Sequence, residues 1–203
     1  MKKKNWSDRW ILCLFVLVSL RCRGQDSFHY RVRLDTPRET DFYKVLLSPE
    51  VVARSKEYLG DLRLLGDDGH FVPYVVKDAV DTGGPVYQPL PAPAIVQKDS
   101  TDHHSYLTLR WPESYRIDRL SLTIKYPALF KREARILAEA SDGSWSQVLL
   151  ASVDPRDTAL RIPAVMTGSL RIDIANADNT PLKIVGVSAG QASIYLLTYL
   201  QGG

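Results

Sequence analysis

Arg119-Leu120-Ser121-Leu122-Thr123-Ile124-Lys125-Tyr126 is the stretch that decides the fold. Leu120, Leu122, Ile124 and Tyr126 share one phase of a two-residue period, and Arg119, Ser121, Thr123 and Lys125 share the other. Successive side chains of a strand point to opposite faces, so the pattern predicts a strand with one face in a core and one in water. Leu170, Ile172 and Ile174 repeat it against Arg171 and Asp173. One wet face per strand belongs to antiparallel sheets packed as a sandwich. Further strands are predicted over 106–111, 134–140, 145–151, 159–162, 182–187 and 194–200. About eight strands in this space suit a two-sheet jelly roll.

Moving back along the chain, the period breaks from Asp78 to Gln97, where Gly83, Gly84, Pro85, Pro89, Pro91 and Pro93 crowd together. Proline lacks the N–H that a helix or a central strand needs. Residues 81–97 therefore read as a linker between domains, with an edge segment lying against a sheet as the alternative. Before it, Phe28, Tyr30, Val32 and Leu34 alternate with polar residues and predict a half-buried strand. Tyr43, Val45 and Leu47 predict a second. Ser48-Pro49-Glu50 starts a short helix or turn over 51–58. Strands at 61–65 and 71–76 are joined by the turn Gly66-Asp67-Asp68-Gly69. The expected fold is all-β, with two β-sandwich domains at 25–80 and 98–203.

The first 24 residues have the layout of a secretory signal peptide. Lys2, Lys3 and Lys4 precede an apolar run from Trp10 to Val18, and Cys22-Arg23-Gly24 places small residues ahead of a cut near Gly24/Gln25. The run is shorter than the ~20 apolar residues that span a bilayer. We therefore expect a periplasmic, secreted or envelope-associated chain with no transmembrane helix in its mature part. Arg21 and Arg23 are unusual just before a cleavage point and keep an uncleaved interfacial anchor as the alternative. Cys13 and Cys22 are the two cysteines of the chain, and both lie in this segment. A mature chain then has no thiol for disulfides, nucleophilic catalysis or metal binding.

The formal charge of +3 also changes once the segment is set aside. Residues 25–203 hold 20 basic and 22 acidic side chains. Without a basic block, nucleic-acid binding has no electrostatic footing.

Two resemblances follow from local motifs. Ser141-Asp142-Gly143-Ser144-Trp145, directly after a predicted strand, resembles the hairpin element of discoidin (coagulation factor 5/8 type C) domains. That resemblance implies a galactose-binding-like jelly roll for 98–203, with ligands held on loops at one end and Trp145 in the core. The wider pattern is similar to a bacterial envelope family catalogued as domain of unknown function 3999. It is carried by Phe42-Tyr43-Lys44-Val45, by Asp61-Leu62-Arg63-Leu64 with Gly69-His70-Phe71-Val72-Pro73-Tyr74, and by Asn176-Ala177-Asp178-Asn179-Thr180-Pro181-Leu182. It implies an envelope protein without assigned activity, either a short member or a piece of a longer, membrane-anchored one.

Catalytic signatures are missing from the sequence. It has no zinc-binding His-Glu-x-x-His, phosphate-cradling glycine loop or Gly-x-Ser-x-Gly elbow. His103 and His104 near Asp99 and Asp102 are adjacent on a strand approach and point apart, so no metal and no cofactor are expected. Asp118, Glu133, Glu139, Asp154, Asp157 and Asp173 leave a carboxylate-dependent glycoside hydrolase as a third reading. Aromatic residues support the preferred one, a noncatalytic module for a glycan or envelope polymer, because sugar rings stack on exposed aromatic faces. The candidate ligand-binding residues are Trp111 and Tyr115, flanking a turn at Pro112-Glu113-Ser114, with Phe130, Lys131 and Arg132 on the loop after Tyr126. The alternative is an assembly module that meets a protein partner through the strand 194–200.

Overall fold

The computed structural model describes residues 28–81 and 84–202. The chain divides into two compact units, residues 1–35 and 36–203. The signal segment lies outside the described residues. In the first unit, residues 28–35 form neither helix nor strand, and Phe28, Tyr30, Val32 and Leu34 are all exposed. The half-buried strand expected there is not formed. Alternation gives a segment an apolar face, but a paired neighbour is what turns that face into a core.

The second unit is all-β apart from one short helix and a 3-10 turn. Its ten main strands are β1 (Asp41–Leu47), β2 (Tyr74–Asp78), β3 (Tyr87–Pro89), β4 (Ala94–Asp99), β5 (His104–Tyr126), β6 (Arg132–Glu139), β7 (Trp145–Val153), β8 (Ala159–Ala175), β9 (Lys183–Ala192) and β10 (Ile194–Leu200). A helix, α1 (Pro49–Arg54), follows β1 and starts on the predicted proline. The Gly66–Gly69 turn closes a ladder of two residues per side, Leu64–Leu65 with Phe71–Val72.

β5 and β8 are each longer than any strand expected from sequence, because each passes from one layer of the sandwich to the other. The first half of β5 pairs with β4 through Ala94↔Arg110 to Asp99↔Ser105, and with the second half of β8 through Ser169↔Arg110 to Ala175↔His104. Its second half pairs with the first half of β8 and with β9. The register breaks between the pairs Thr167↔Tyr115 and Ser169↔Arg110, and again between Arg161↔Arg119 and Val165↔Ile117. Pro112 and Pro163 fall inside these breaks, where a missing N–H costs no ladder bond. Such bulged corners are how strands change sheets. One layer is thus β4-β5-β8-β6-β7, and the other is β8-β5-β9-β3.

Between the layers lies the main core. Leu107, Leu109, Ile136, Leu170 and Ile172 meet Ile117, Leu120, Leu122, Leu160 and Val187, all at most 8% exposed. The alternation holds in this burial over 119–124 and 170–174, but Tyr126, expected on the core phase, is exposed where the β5–β9 register slips.

Strand pairing crosses the boundaries expected between the two domains and the linker. β3 and β4, inside the supposed linker, pair with β9 and β5. β10, expected in the second sandwich, lies between β1 and β2 in a separate three-stranded sheet. That sheet covers a second small core of Leu47, Val52, Leu59, Ile194 and Leu196. The prolines exclude central strand positions, but they permit the short edge strands seen here.

Candidate functional site

The outer face of the β8-β5-β9-β3 layer is set by residues on the polar phase of its strands. Leu160 and Ile162 point into the core, so Arg161 points out, and Leu120 inward leaves Arg119 outward. The register places Arg161 directly opposite Arg119, and Arg119 opposite Gly190 of β9. β3 comes next, where Tyr87 pairs with Ala192. The guanidinium of Arg119 lies 5.4 Å from the Tyr87 ring centre. Gly190 lies between the two strands that carry them. A Cβ there would stand 3.4 Å from both the Tyr87 Cβ and the Gln88 carbonyl oxygen. The neighbouring row, Ala159, Ser121 and Ser188, is made of small side chains.

Arg119, Arg161 and Tyr87 line a cleft of about 550 Å³, together with Ser152, Asp157 and the apolar Leu149, Ala151 and Leu160. The turn after β7 carries Asp157 to the rim. Its Asp154 carboxylate accepts the backbone N–H of Arg156 (2.7 Å) and of Asp157 (3.0 Å). These bonds, aided by the positive charges of Arg156 and Lys131, hold the Asp154 carboxyl below the usual carboxylate range. A second cleft, of about 450 Å³, shares Ala151 and Ser152 and is lined by Lys131, Arg132, Glu133 and Leu150. There the Arg132 Nη1 donates to the Lys131 carbonyl (2.9 Å), while its buried Nε has no hydrogen-bond partner.

The structure separates the five residues singled out from sequence. Lys131 and Arg132 line the second cleft. Trp111 and Tyr115 are almost buried, being 7% and 4% exposed, and both belong to the main core. The Trp111 indole N–H donates to the Pro91 carbonyl (2.8 Å). Pro112-Glu113-Ser114 is an exposed bulged corner within β5 rather than a turn between strands, and its two flanking aromatics seal the space between the layers. Phe130 is half-buried against the same core. The near-complete burial of Trp111 and Tyr115 leaves little ring surface for a sugar at 111–115, while Phe130 stays partly open.

Other expectations also meet the geometry. The Asp-Gly hairpin forms as read, with Gly143 at φ 80° and the Asp142 carboxylate accepting the Ser144 N–H and hydroxyl. Trp145, expected in the core, instead stands half-buried on the outer face, with the Arg171 guanidinium 4.4 Å from its ring centre. His104 Nδ1 pairs with Asp173 at 2.5 Å and its ring stacks on Tyr106. β10 has paired neighbours on both sides, so the free edge expected at 194–200 for a protein partner is absent. Among the described residues, no helix is long and apolar enough to cross a membrane.

The cleft residues Tyr87, Arg119 and Arg161 were not legible as a site. Tyr87 stands in the proline-rich stretch, and the arginines read as ordinary polar-phase residues. Only pairing register shows that they meet.

No family model and no curated protein match this chain, so the envelope-family resemblance has no match beside it. Among solved structures, the chain is similar to CBM32 of AlyQ in complex with 4,5-unsaturated mannuronic acid, over 50% of this chain and 97% of that one, at 11% identity and a TM-score of 0.43. It is similar also to truncated AlyQ with CBM32 and alginate lyase domains, over 53% of this chain and 34% of that one, at 13% identity and a TM-score of 0.43.

Proposed function

We propose that this chain is a noncatalytic binding module for a glycan or cell-envelope polymer, and that the ligand lies on the Tyr87–Arg119–Arg161 face. The observation that carries the reading is the approach of Arg119 to the half-buried Tyr87 ring across Gly190, within an open cleft on a floor of small residues. A pyranose presents an apolar C–H face and a rim of hydroxyls. An aromatic ring beside guanidinium, carboxylate and serine groups answers both. The secretory layout of residues 1–24 is in keeping with a ligand outside the cytoplasm.

Hydrolysis of a glycosidic bond takes two carboxyl groups roughly 5–9.5 Å apart across the sugar. Each cleft is lined by one carboxylate, Asp157 in the larger and Glu133 in the smaller. Asp118 is buried against Arg116, and Asp173 is engaged by His104. This supports binding without cleavage.

Thermal unfolding of the purified protein against neutral and acidic polysaccharides tests the reading. A ligand at 100 times its dissociation constant adds about 2.7 kcal/mol, a midpoint shift of roughly 5–11 °C for a domain of this size. The shift should shrink in Tyr87→Ala and persist in Tyr87→Phe. A panel that leaves the midpoint unmoved, with the protein cooperatively folded, rejects the proposal.

A further inference from the structure

We infer that the sugar bound on this face is acidic, with its ring carboxylate gripped between Arg119 and Arg161. The inference deepens the proposed glycan-binding function and rests on it.

Arg119 and Arg161 are direct cross-strand partners on one face of one sheet. Side chains so placed have Cβ atoms about 5 Å apart, and like charges there repel. Among the described residues the ion pairs are Arg54–Glu113, His104–Asp173 and Arg116–Asp118, and neither cleft arginine enters one. Asp157 lines the same cleft but lies beyond ion-pair distance of both. The pair therefore stands with its repulsion uncompensated by a partnered carboxylate. A ligand oxyanion between two guanidinium forks reverses the sign of that interaction and takes charge-assisted bonds from both sides.

General charge does not explain the pair, since residues 25–203 hold more acidic than basic side chains. Carboxylate is favoured over phosphate or sulfate by the adjoining ring. A uronate places its carboxyl on the pyranose itself, so one residue can pack its C–H face beside Tyr87 while its acid draws on Arg119, which lies over that ring, and on Arg161. Beyond Ala151 and Ser152, the second cleft offers Lys131 and Arg132. With two cations against the one carboxylate of Glu133, that second station is suited to a further acidic residue of the same polymer, so affinity should rise with chain length.

The experiment is titration calorimetry of the full protein with polygalacturonate and polymannuronate, with the carboxyl-reduced form of each, and with dextran sulfate and inorganic polyphosphate. The variants are Arg119→Gln, Arg161→Gln and Arg161→Lys, each checked for cooperative melting at or above the wild-type midpoint, since relief of the repulsion stabilises the Gln forms. We expect at least one polyuronate to bind, its reduced form to bind about tenfold more weakly or worse, and each Gln variant to lose about tenfold or more. Arg161→Lys should lose less, because it keeps the charge and gives up only the fork. Added salt should weaken the acidic ligand and leave a neutral one unaffected.

Equal binding of reduced and acidic polymers would overturn the inference while leaving glycan recognition in place. Equal binding of dextran sulfate or polyphosphate, with the same dependence on the arginines, would also overturn it, in favour of a polyanion site indifferent to the sugar. Binding of neutral glycans alone defeats the inference and not the function. Failure of every polymer, in this titration and in the unfolding panel, defeats both.

Discussion

The bulged corner at 111–115 and the outer face around Tyr87 draw on similar residues and reach opposite ends. Each sets an aromatic beside charged side chains and proline. At the corner, β5 turns from one layer into the other, so Trp111 and Tyr115 are carried into the space between them and almost no ring is left in water. On the outer face, β3 is a short edge strand laid flat beside β9, and the half-buried Tyr87 ring carries the Arg119 guanidinium over its face. Composition marks where aromatic and polar groups coincide. Whether the coincidence binds a ligand or seals a core depends on whether the strand there changes layers.

The largest effect that could break this comparison comes from the corner. Trp111→Ala removes a buried indole and its bond to the Pro91 carbonyl, which should cost about 3–5 kcal/mol, or roughly 6–20 °C in the unfolding midpoint. Glycan affinity measured on the folded fraction should stay at the wild-type value. Near-native stability together with lost binding would make the corner the site and return the outer face to plain surface.

That outcome bears on what the sequence could disclose. The all-β fold was legible because alternation at 119–126 and 170–174 is a local consequence of one wet face. The Asp142-Gly143 hairpin was legible for the same reason, since turn chemistry is local. The layer crossings were not. Pro112 and Pro163 look like strand ends, and only the register breaks opposite them show that the ladder resumes in the other sheet. The site depends on the same non-local information. Arg119, Arg161, Gly190 and Tyr87 come from four strands, and nothing near any one of them in sequence announces the other three. Lys131 and Arg132, expected from sequence as ligand contacts, line the smaller cleft because they stand where the loop enters β6.

An intermediate effect sharpens the contrast from the other side. Gly190→Leu puts a branched side chain where a Cβ already lies 3.4 Å from the Tyr87 Cβ and from the Gln88 carbonyl oxygen. Overpacking of this kind costs about 1–3 kcal/mol, less than the Trp111 change. It should nevertheless abolish the shift given by the ligand, because the new side chain fills the lane between Tyr87 and Arg119. A thermal-unfolding series with and without polyuronate reads both quantities. Intact binding in Gly190→Leu would mean that the ring and the arginine act separately.

The smallest effect concerns acid, and it divides the two regions by their charges. Bonds from the Arg156 and Asp157 N–H groups hold the Asp154 carboxyl below its ordinary value of about 3.9. A group whose folded-state value is depressed contributes stability that is present above the unfolded value and lost as pH falls through the folded one. The 154–157 turn should therefore loosen below about pH 4, and with it the placing of Asp157 at the cleft rim. The Trp111 corner carries one carboxylate bond, the exposed Glu113–Arg54 pair (3.0 Å), and otherwise rests on apolar packing and an indole bond indifferent to pH in this range. Amide exchange followed from pH 6 to pH 3, corrected for the intrinsic rate, should show protection falling at 156–161 before it falls at 107–117. In Asp154→Asn the side-chain acceptor keeps its hydrogen bonds without titrating, so the acid loss at 156–161 should flatten while the corner is unchanged. Simultaneous loss in both regions would show that the sandwich opens as one unit, and that the rim has no local equilibrium of its own.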